Sequence, residues 1–259
     1  MKIGILGFGR FGQFLGETIS KNHNVIAYSR SNYSDIAKTM KIDFYQSLPD
    51  FLHQKLDIII LSVSIISFEK VISSLQPYLE LLQDVLLVDV LSVKNYPKKI
   101  ILNHLDLDKY NIDYLATHPM FGPDSGWIER PMVYNRVRIS NSNRVVNFLD
   151  IFKEQQCIMT PLTCDEHDQY SAKSQFITHL TGRILGNLDL EDTPINTNGY
   201  NSLLTLVDNT CNDSLDLFQG LYQYNDETKL WLTKFRKSLD LIENQLNFLE
   251  KSFDKKVNQ

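Results

Sequence analysis

The first half of the chain alternates between short apolar runs and segments of helical period. KIGILG (residues 2–7) reads as a buried strand, and a glycine turn leads from it into a helix over Phe11 to about Ser20. HNVIAYS is a second strand. LDIIILSV and DVLLVDVLS are near-continuous apolar runs, with a helical pattern, FEKVISSLQPYLELL, between them. IDYLAT and NRVRIS follow, then a helix, VVNFLDIFKEQ, and a last short strand near CIMTPL. IDYLAT stops at His118, where THPMFGPDSG supplies a cluster of turn residues. Strands apolar on both faces, alternating with helices, indicate a mostly parallel sheet covered on both sides.

From about Cys164 the texture changes, and strand-like runs disappear. EHDQYSAKSQFITHLTGRILGNL reads as a helix, and NGYNSLLTLVDNTCNDSLDLFQGLYQY as one more long helix or two. The last segment spaces Leu232, Phe235, Leu239, Ile242, Leu246 and Leu249 at steps of three and four. Such a stripe is the seam of an amphipathic helix that packs on another helix. The expected fold is therefore α/β, a Rossmann-type doubly wound, mostly parallel sheet over residues 1–163, followed by an all-helical dimerisation domain over 164–259. The stripe implies a homodimer.

Composition narrows the function. The chain has 259 residues, 43% hydrophobic and 22% charged, with a formal net charge of -5, so no basic face for nucleic acid is expected. The cysteines Cys157, Cys164 and Cys211 match no zinc spacing, so no metal is expected, and free thiols suit a reducing compartment. The N-terminus shows neither a signal peptide nor a transit segment, and the longest apolar run is too short to span a bilayer. A cytoplasmic protein without a membrane partner is expected, or a plastid protein whose transit peptide has been trimmed.

The first motif with chemical meaning is Gly7-Phe8-Gly9-Arg10-Phe11-Gly12. A G-x-G-x-x-G run is weak alone. Here a strand precedes it, a helix follows, and a second strand lies within βαβ distance, the context of a dinucleotide site. Gly7 allows the tight turn, Gly9 the approach of a pyrophosphate, and Gly12 close helix–strand packing; the helix N-terminus offers free N–H groups to phosphate. At the end of the second strand, where an NAD site usually has an acid, the chain has Ser29, Arg30 and Ser31. A carboxylate would repel a 2′-phosphate, whereas a guanidinium flanked by hydroxyls would hold it, so NADP(H) is the expected cofactor.

Parallel sheets bind ligands at the carboxyl ends of their strands. Three polar elements fall there: SVS, beginning at Ser62, a candidate cofactor contact; LSVK, with Ser92; and THP, with His118. A histidine beside a serine suits removal of a proton from an alcohol while hydride leaves its carbon. A hydrolase would need a G-x-S-x-G elbow, which is absent.

ILGFGRFGQFL, YSRS, DVLSVK, THPMFGPDSG, DEHDQYSAKSQFITHLTGR, TPINTNGY and NTCNDSLDLFQGLYQYN together resemble the arogenate/prephenate dehydrogenase family, its plant-type arogenate members in particular. The resemblance runs over essentially the whole chain. It implies a dinucleotide-binding domain plus a helical dimerisation domain, and an oxidative decarboxylation in which hydride passes from a ring carbinol to NAD(P)+ while carbon dioxide departs. It implies that His118 takes the proton of the ring hydroxyl and that Ser92 binds the same hydroxyl.

The resemblance also implies a rule for substrate choice. Arogenate carries an ammonium where prephenate carries a ketone, and an acid facing that group favours arogenate whereas asparagine favours prephenate. Alignment of NTCNDSLDL puts Asp213, mid-helix, at that position, with Asn212 next to it. Ser125, Gln175 and Thr197 are further expected substrate contacts, with Lys173 and His179 as neighbours. GWIERPMVYNRVRIS is shorter than in many plant members. The competing readings are an NADP-dependent prephenate dehydrogenase, a hydroxyacid dehydrogenase using Lys173, and a cofactor-binding sensor without turnover.

Overall fold

The computed structural model describes the backbone of residues 1–257 and the side chains of residues 1–249. The chain divides into two compact units, Met1–Asp168 and the remainder from Gln169.

The first unit is built on one eight-stranded sheet. Its strands are β1 (Lys2–Leu6), β2 (Asn24–Tyr28), β3 (Asp43–Tyr45), β4 (Ile58–Leu61), β5 (Leu86–Asp89), β6 (Asp113–Pro119), β7 (Pro131–Arg138) and β8 (Ile158–Pro161). The order is β3-β2-β1-β4-β5-β6-β7-β8. Strands β1 to β6 are parallel, β7 is antiparallel to β6, and β8 is parallel to β7. The chain runs outward from β1 to β3 and returns to β4 beside β1, so the carboxyl ends of β1 and β4 flank a topological switch point. Ligand crevices form at such points.

The apolar runs form strands because their two faces meet two separate cores. Ile3, Ile5, Ile58, Ile60, Leu86 and Val88 point to one core with Leu15 and Ile19 of α1 (Arg10–Ile19). The alternate residues Leu6, Ile59, Leu61 and Leu87 point to the other. Helices α2 (Ser34–Thr39), α3 (Leu48–Leu52), α4 (Ile65–Leu75), α5 (Asn95–His104) and α6 (Ser142–Glu154) complete the unit. Phe68 and Ile72 of α4 and Ile101 of α5 seal the second core; Phe148 and Phe152 of α6 join the first. This period-two split is why the runs read as continuously apolar.

The helix expected over FEKVISSLQPYLELL is shorter than its apolar period. α4 ends at Leu75, and Gln76–Leu82 continues as a 3₁₀ segment. Pro77 lacks the N–H that a further α-turn requires. The small elements β3, α2 and α3 fall in a stretch where the sequence pattern showed none, because three to six residues carry too little periodicity.

α7 (Cys164–Ser171) starts within the first unit and is followed by a π-helical turn, Ala172–Phe176, and by α8 (Ile177–Gly186). A capping box fixes where α7 begins: Thr163 N donates to Glu166 Oε2 at 2.8 Å, and Glu166 N donates to Thr163 Oγ1 at 3.2 Å. The second unit continues with α9 (Asn198–Cys211), α10 (Leu215–Tyr224) and α11 (Glu227–Val257). α8 and α9 touch closely at Gly182, where an added Cβ would lie 2.0 Å from Thr210 Oγ1. Phe176 stacks on Phe218, with ring centroids 5.8 Å apart. On α11, Leu239, Ile242, Leu246 and Leu249 are all more than half exposed, so among the described residues that part of the stripe is uncovered.

Candidate active site

The glycine loop lies between β1 and α1 at the switch point. Gly7 has φ +103°, and an added Cβ would meet the Ser62 carbonyl oxygen at 2.2 Å. Gly7 thus brings the ends of β1 and β4 together, with Ser62 beside it. A Cβ on Gly12 would lie 2.2 Å from the Gly7 carbonyl oxygen, so close helix–strand packing is the reason for that glycine. Gly9 differs, because a Cβ there would have nothing within 4 Å. The backbone faces open space at the N-cap of α1, where no side chain caps the helix. The first amides of α1 have no intrahelical acceptor and form an anion-binding end. This cradle fits the pyrophosphate of a dinucleotide.

The other expected cofactor residues divide by side chain. Phe8 is fully buried, edge-on to Tyr33 with centroids 6.4 Å apart, so only its backbone can serve a ligand. Phe11 packs against Phe14 at 5.9 Å. Arg10 is exposed and pairs with Asp124. After β2, Ser29 N donates to the Tyr45 carbonyl at 3.2 Å, while Arg30 and Ser31 are exposed. Among the described residues no acid pairs with the Arg30 guanidinium.

The ends of β5 and β6 carry the catalytic candidates. Their register sets Asp89 opposite Ala116, so Ser92 and His118 leave neighbouring strands on the same edge. His118 does not follow the strand, as its turn-rich sequence context suggested. It is the penultimate residue of β6, paired with Val133 of β7, and 4% exposed. Pairing to β7 holds it in place despite the prolines. Lys94 fastens the two ends: its fully buried ammonium donates to Asp89 Oδ1 and to the Thr117 carbonyl. Tyr114 Oη donates to Asp89 Oδ2 at 2.8 Å, and Thr117 Oγ1 donates to the Asp89 carbonyl at 2.6 Å. Burial raises the Asp89 pKa, and the Lys94 charge opposes that shift.

Behind His118 lies a buried chain of polar groups that the sequence reading did not assign. His118 Nδ1 is 2.8 Å from His167 Nε2, and His167 Nδ1 is 2.8 Å from Asp168 Oδ1. Asp168 in turn accepts from Lys94 N at 2.8 Å and from Asn95 N at 2.9 Å, closing the N-terminus of α5. Burial, His167 and the Lys94 charge hold the His118 pKa well below 6.5. Burial also lowers that of His167, with Asp168 opposing. Both shifts favour the neutral form of the rings. The available signal was the motif itself: Thr163 and Glu166 form a capping box, and His167 and Asp168 follow at once.

Ser125 sits at the end of a turn in which its N–H donates to the Gly122 carbonyl at 3.1 Å, and it is exposed. In the second unit, Gln175 lies in the π-helical turn, where Ser171 Oγ donates to its Oε1 at 3.0 Å. Thr197 is the N-cap of α9, its hydroxyl accepting from Tyr200 N at 3.2 Å. Asp213 is not mid-helix. It stands in the break between α9 and α10, because Ser214 caps α10 by accepting from Leu217 N at 3.2 Å. His179 Nε2 lies 3.6 Å from Asp213 Oδ2, and Arg183 donates to the Asp213 carbonyl at 2.9 Å. Lys173 is exposed, 4.5 Å over the Tyr170 ring.

A family model described as the prephenate dehydrogenase nucleotide-binding domain matches residues 15–131, and one described as a TYRAAT1-like C-terminal domain matches residues 184–257. The chain is 42% identical over 254 residues to arogenate dehydrogenase 2, chloroplastic, of Arabidopsis thaliana, covering 95% of this chain and 70% of that protein. The chain belongs to the arogenate/prephenate dehydrogenase family. It is also 46% identical to arogenate dehydrogenase 1, chloroplastic, of the same plant, covering 95% of this chain but 39% of that longer protein. Among solved structures, the fold matches Aquifex aeolicus prephenate dehydrogenase in complex with hydroxyphenyl propionate and NAD+, with TM-score 0.74 and 14% identity. That match covers 95% of this chain and 90% of the other. The fold of Synechocystis arogenate dehydrogenase matches with TM-score 0.67 and 19% identity, covering 95% and 93%. As a member of this family, the chain carries the nucleotide-binding dehydrogenase domain of an enzyme that uses a nicotinamide cofactor.

Proposed function

We propose that this protein converts L-arogenate to L-tyrosine by oxidative decarboxylation, with NADP+ as hydride acceptor. The observation that carries the chemistry is His118, a neutral imidazole held at the sheet edge near Ser92, on the side of the sheet where Gly9 leaves its cradle open. When bound, the nicotinamide supplies a hydride acceptor. The chain's own residues do the rest. The helix α1 N-terminus and Gly9 hold the diphosphate, and Arg30 with Ser29 and Ser31 receives the 2′-phosphate. Ser92 orients the ring hydroxyl, and His118 takes its proton as the carbon–hydrogen bond breaks. Loss of the ring carboxylate as carbon dioxide completes the aromatic ring and makes the step effectively irreversible.

For substrate choice the proposal assigns Asp213 as the acid that pairs with the arogenate ammonium, with Ser125, Gln175 and Thr197 as further substrate contacts. The exposed stripe on α11 is assigned to a homodimer contact. The free thiols Cys157, Cys164 and Cys211 suit a reducing compartment. The specificity assignment is tested with Asp213→Asn. The ratio of kcat/KM for arogenate over prephenate should fall by about tenfold or more, the effect of about 1.4 kcal/mol. An unchanged ratio would remove Asp213 from the account.

A further inference from the structure

The pair behind His118 has a chemical direction that its distances alone do not state. Asp168 is an acceptor toward His167, and it also accepts from the N–H groups of Lys94 and Asn95. A neutral His167 must therefore carry its proton on Nδ1, because a lone pair 2.8 Å from a carboxylate oxygen would be repelled. Its Nε2 is then a lone pair and can only accept from His118 Nδ1, 2.8 Å away. That proton fixes the second ring as well. We propose that Asp168 and His167 are positioning residues that hold His118 as its Nδ1–H tautomer, so that Nε2, at the far end of the ring, is the proton acceptor.

The proposal rests on the reading of His118 as the base and adds the groups that make it one. The alternative arrangement shows why they matter. If His167 carried a proton on Nε2, it would donate to His118 Nδ1, and His118 would hold its own proton on Nε2. The ring would then present a donor to the substrate hydroxyl and could not remove its proton. In the assigned arrangement the hydroxyl proton goes to His118 Nε2 and the electron pair of the breaking carbon–hydrogen bond leaves with hydride. The resulting imidazolium shares its Nδ1 proton with His167, which stays bound to Asp168. Asp168 keeps its hydrogen bonds to Lys94 N and Asn95 N at the N-terminal end of α5 throughout. The other charges around the pair, Lys94 and Asp89, are bound to one another.

Two measurements test this separately from the identity of the substrate. The first is imidazole nitrogen NMR of the intact protein labelled with 15N-histidine, with His118 assigned through His118→Asn. The expected spectrum at neutral pH shows His118 protonated on Nδ1 and bare on Nε2; a His118 protonated on Nε2 would overturn the proposal whatever the enzyme's substrate. The second is kinetic. Asp168→Asn leaves one acceptor oxygen where two hold Lys94 N, Asn95 N and His167 Nδ1, so the His167 tautomer is no longer fixed and kcat should fall about 100-fold or more while the Kd for NADP+ is kept. His167→Gln offers an acceptor to His118 and should retain clearly more activity than His167→Leu. Equal losses in Gln and Leu variants that bind NADP+ as wild type does would contradict the relay. If any variant fails to fold, the wild-type spectrum alone still decides.

Discussion

At the residue scale, the account turns on His118 being neutral and bare at one nitrogen. Replacing it with asparagine keeps size and polarity but removes the proton acceptor. kcat should fall on the order of 10²–10⁴-fold, with NADP+ affinity retained. The pH profile follows from the direction of the shift. The base works unprotonated, and burial, His167 and Lys94 hold its pKa well below 6.5. Activity should therefore persist as pH falls through 6.5 and decline only further into acid; a log(kcat/KM) profile with an acid limb at or above pH 6.5 would contradict it. Gly9 gives a second residue-level prediction. Because a Cβ there meets nothing within 4 Å, Gly9→Val should fold with only the small drop in Tm that a poorer N-cap brings and lose NADP+ binding by titration. A large drop in Tm would mean that Gly9 serves packing rather than the cofactor. The glycine loop, Ser92 and His118 were legible in the sequence because strand-end position and residue chemistry coincide in short local motifs. His167 was not, because it lies 49 residues from His118 in the chain and meets it only through the fold.

At the element scale, the placement of the site depends on how β5 and β6 are fastened at their carboxyl ends. Lys94 does this from inside the protein, and its charge is compensated by Asp89. Removing one partner of a buried pair leaves the other charge unpaired, at a cost of about 3–5 kcal/mol. Lys94→Met should therefore lower Tm markedly in thermal unfolding, and adding Asp89→Asn should recover part of the loss. If Lys94→Met matches wild type in Tm, the pair does not hold the strands. Elements were legible in proportion to their periodicity. The strands of the parallel sheet stood out because both faces are buried; β3, α2 and α3 were too short to show a period. The position of Asp213 was misread for a different reason. No glycine or proline marks a break at NDS, but Ser214 starts a new helix by capping it, and the break leaves Asp213 between two helices beside His179.

At the scale of the whole molecule, the alternation of strands and helices up to residue 163 announced the sheet, and the change of texture after it announced helices only. Sheet order could not be read locally, since it depends on which strands neighbour one another. It supplies the switch point that places the glycine loop and Ser62 side by side. Overall function rests on this architecture together with kinship. The chain matches 95% of its own length to arogenate dehydrogenases of Arabidopsis thaliana while spanning 39% and 70% of theirs. The most direct test is a comparison of initial rates for arogenate and prephenate, each with NAD+ and NADP+, followed by reduced cofactor formation and identification of the aromatic product. The account predicts that arogenate with NADP+ gives the highest kcat/KM and yields tyrosine. Turnover of prephenate in preference to arogenate, or of neither despite NADP+ binding, would contradict it.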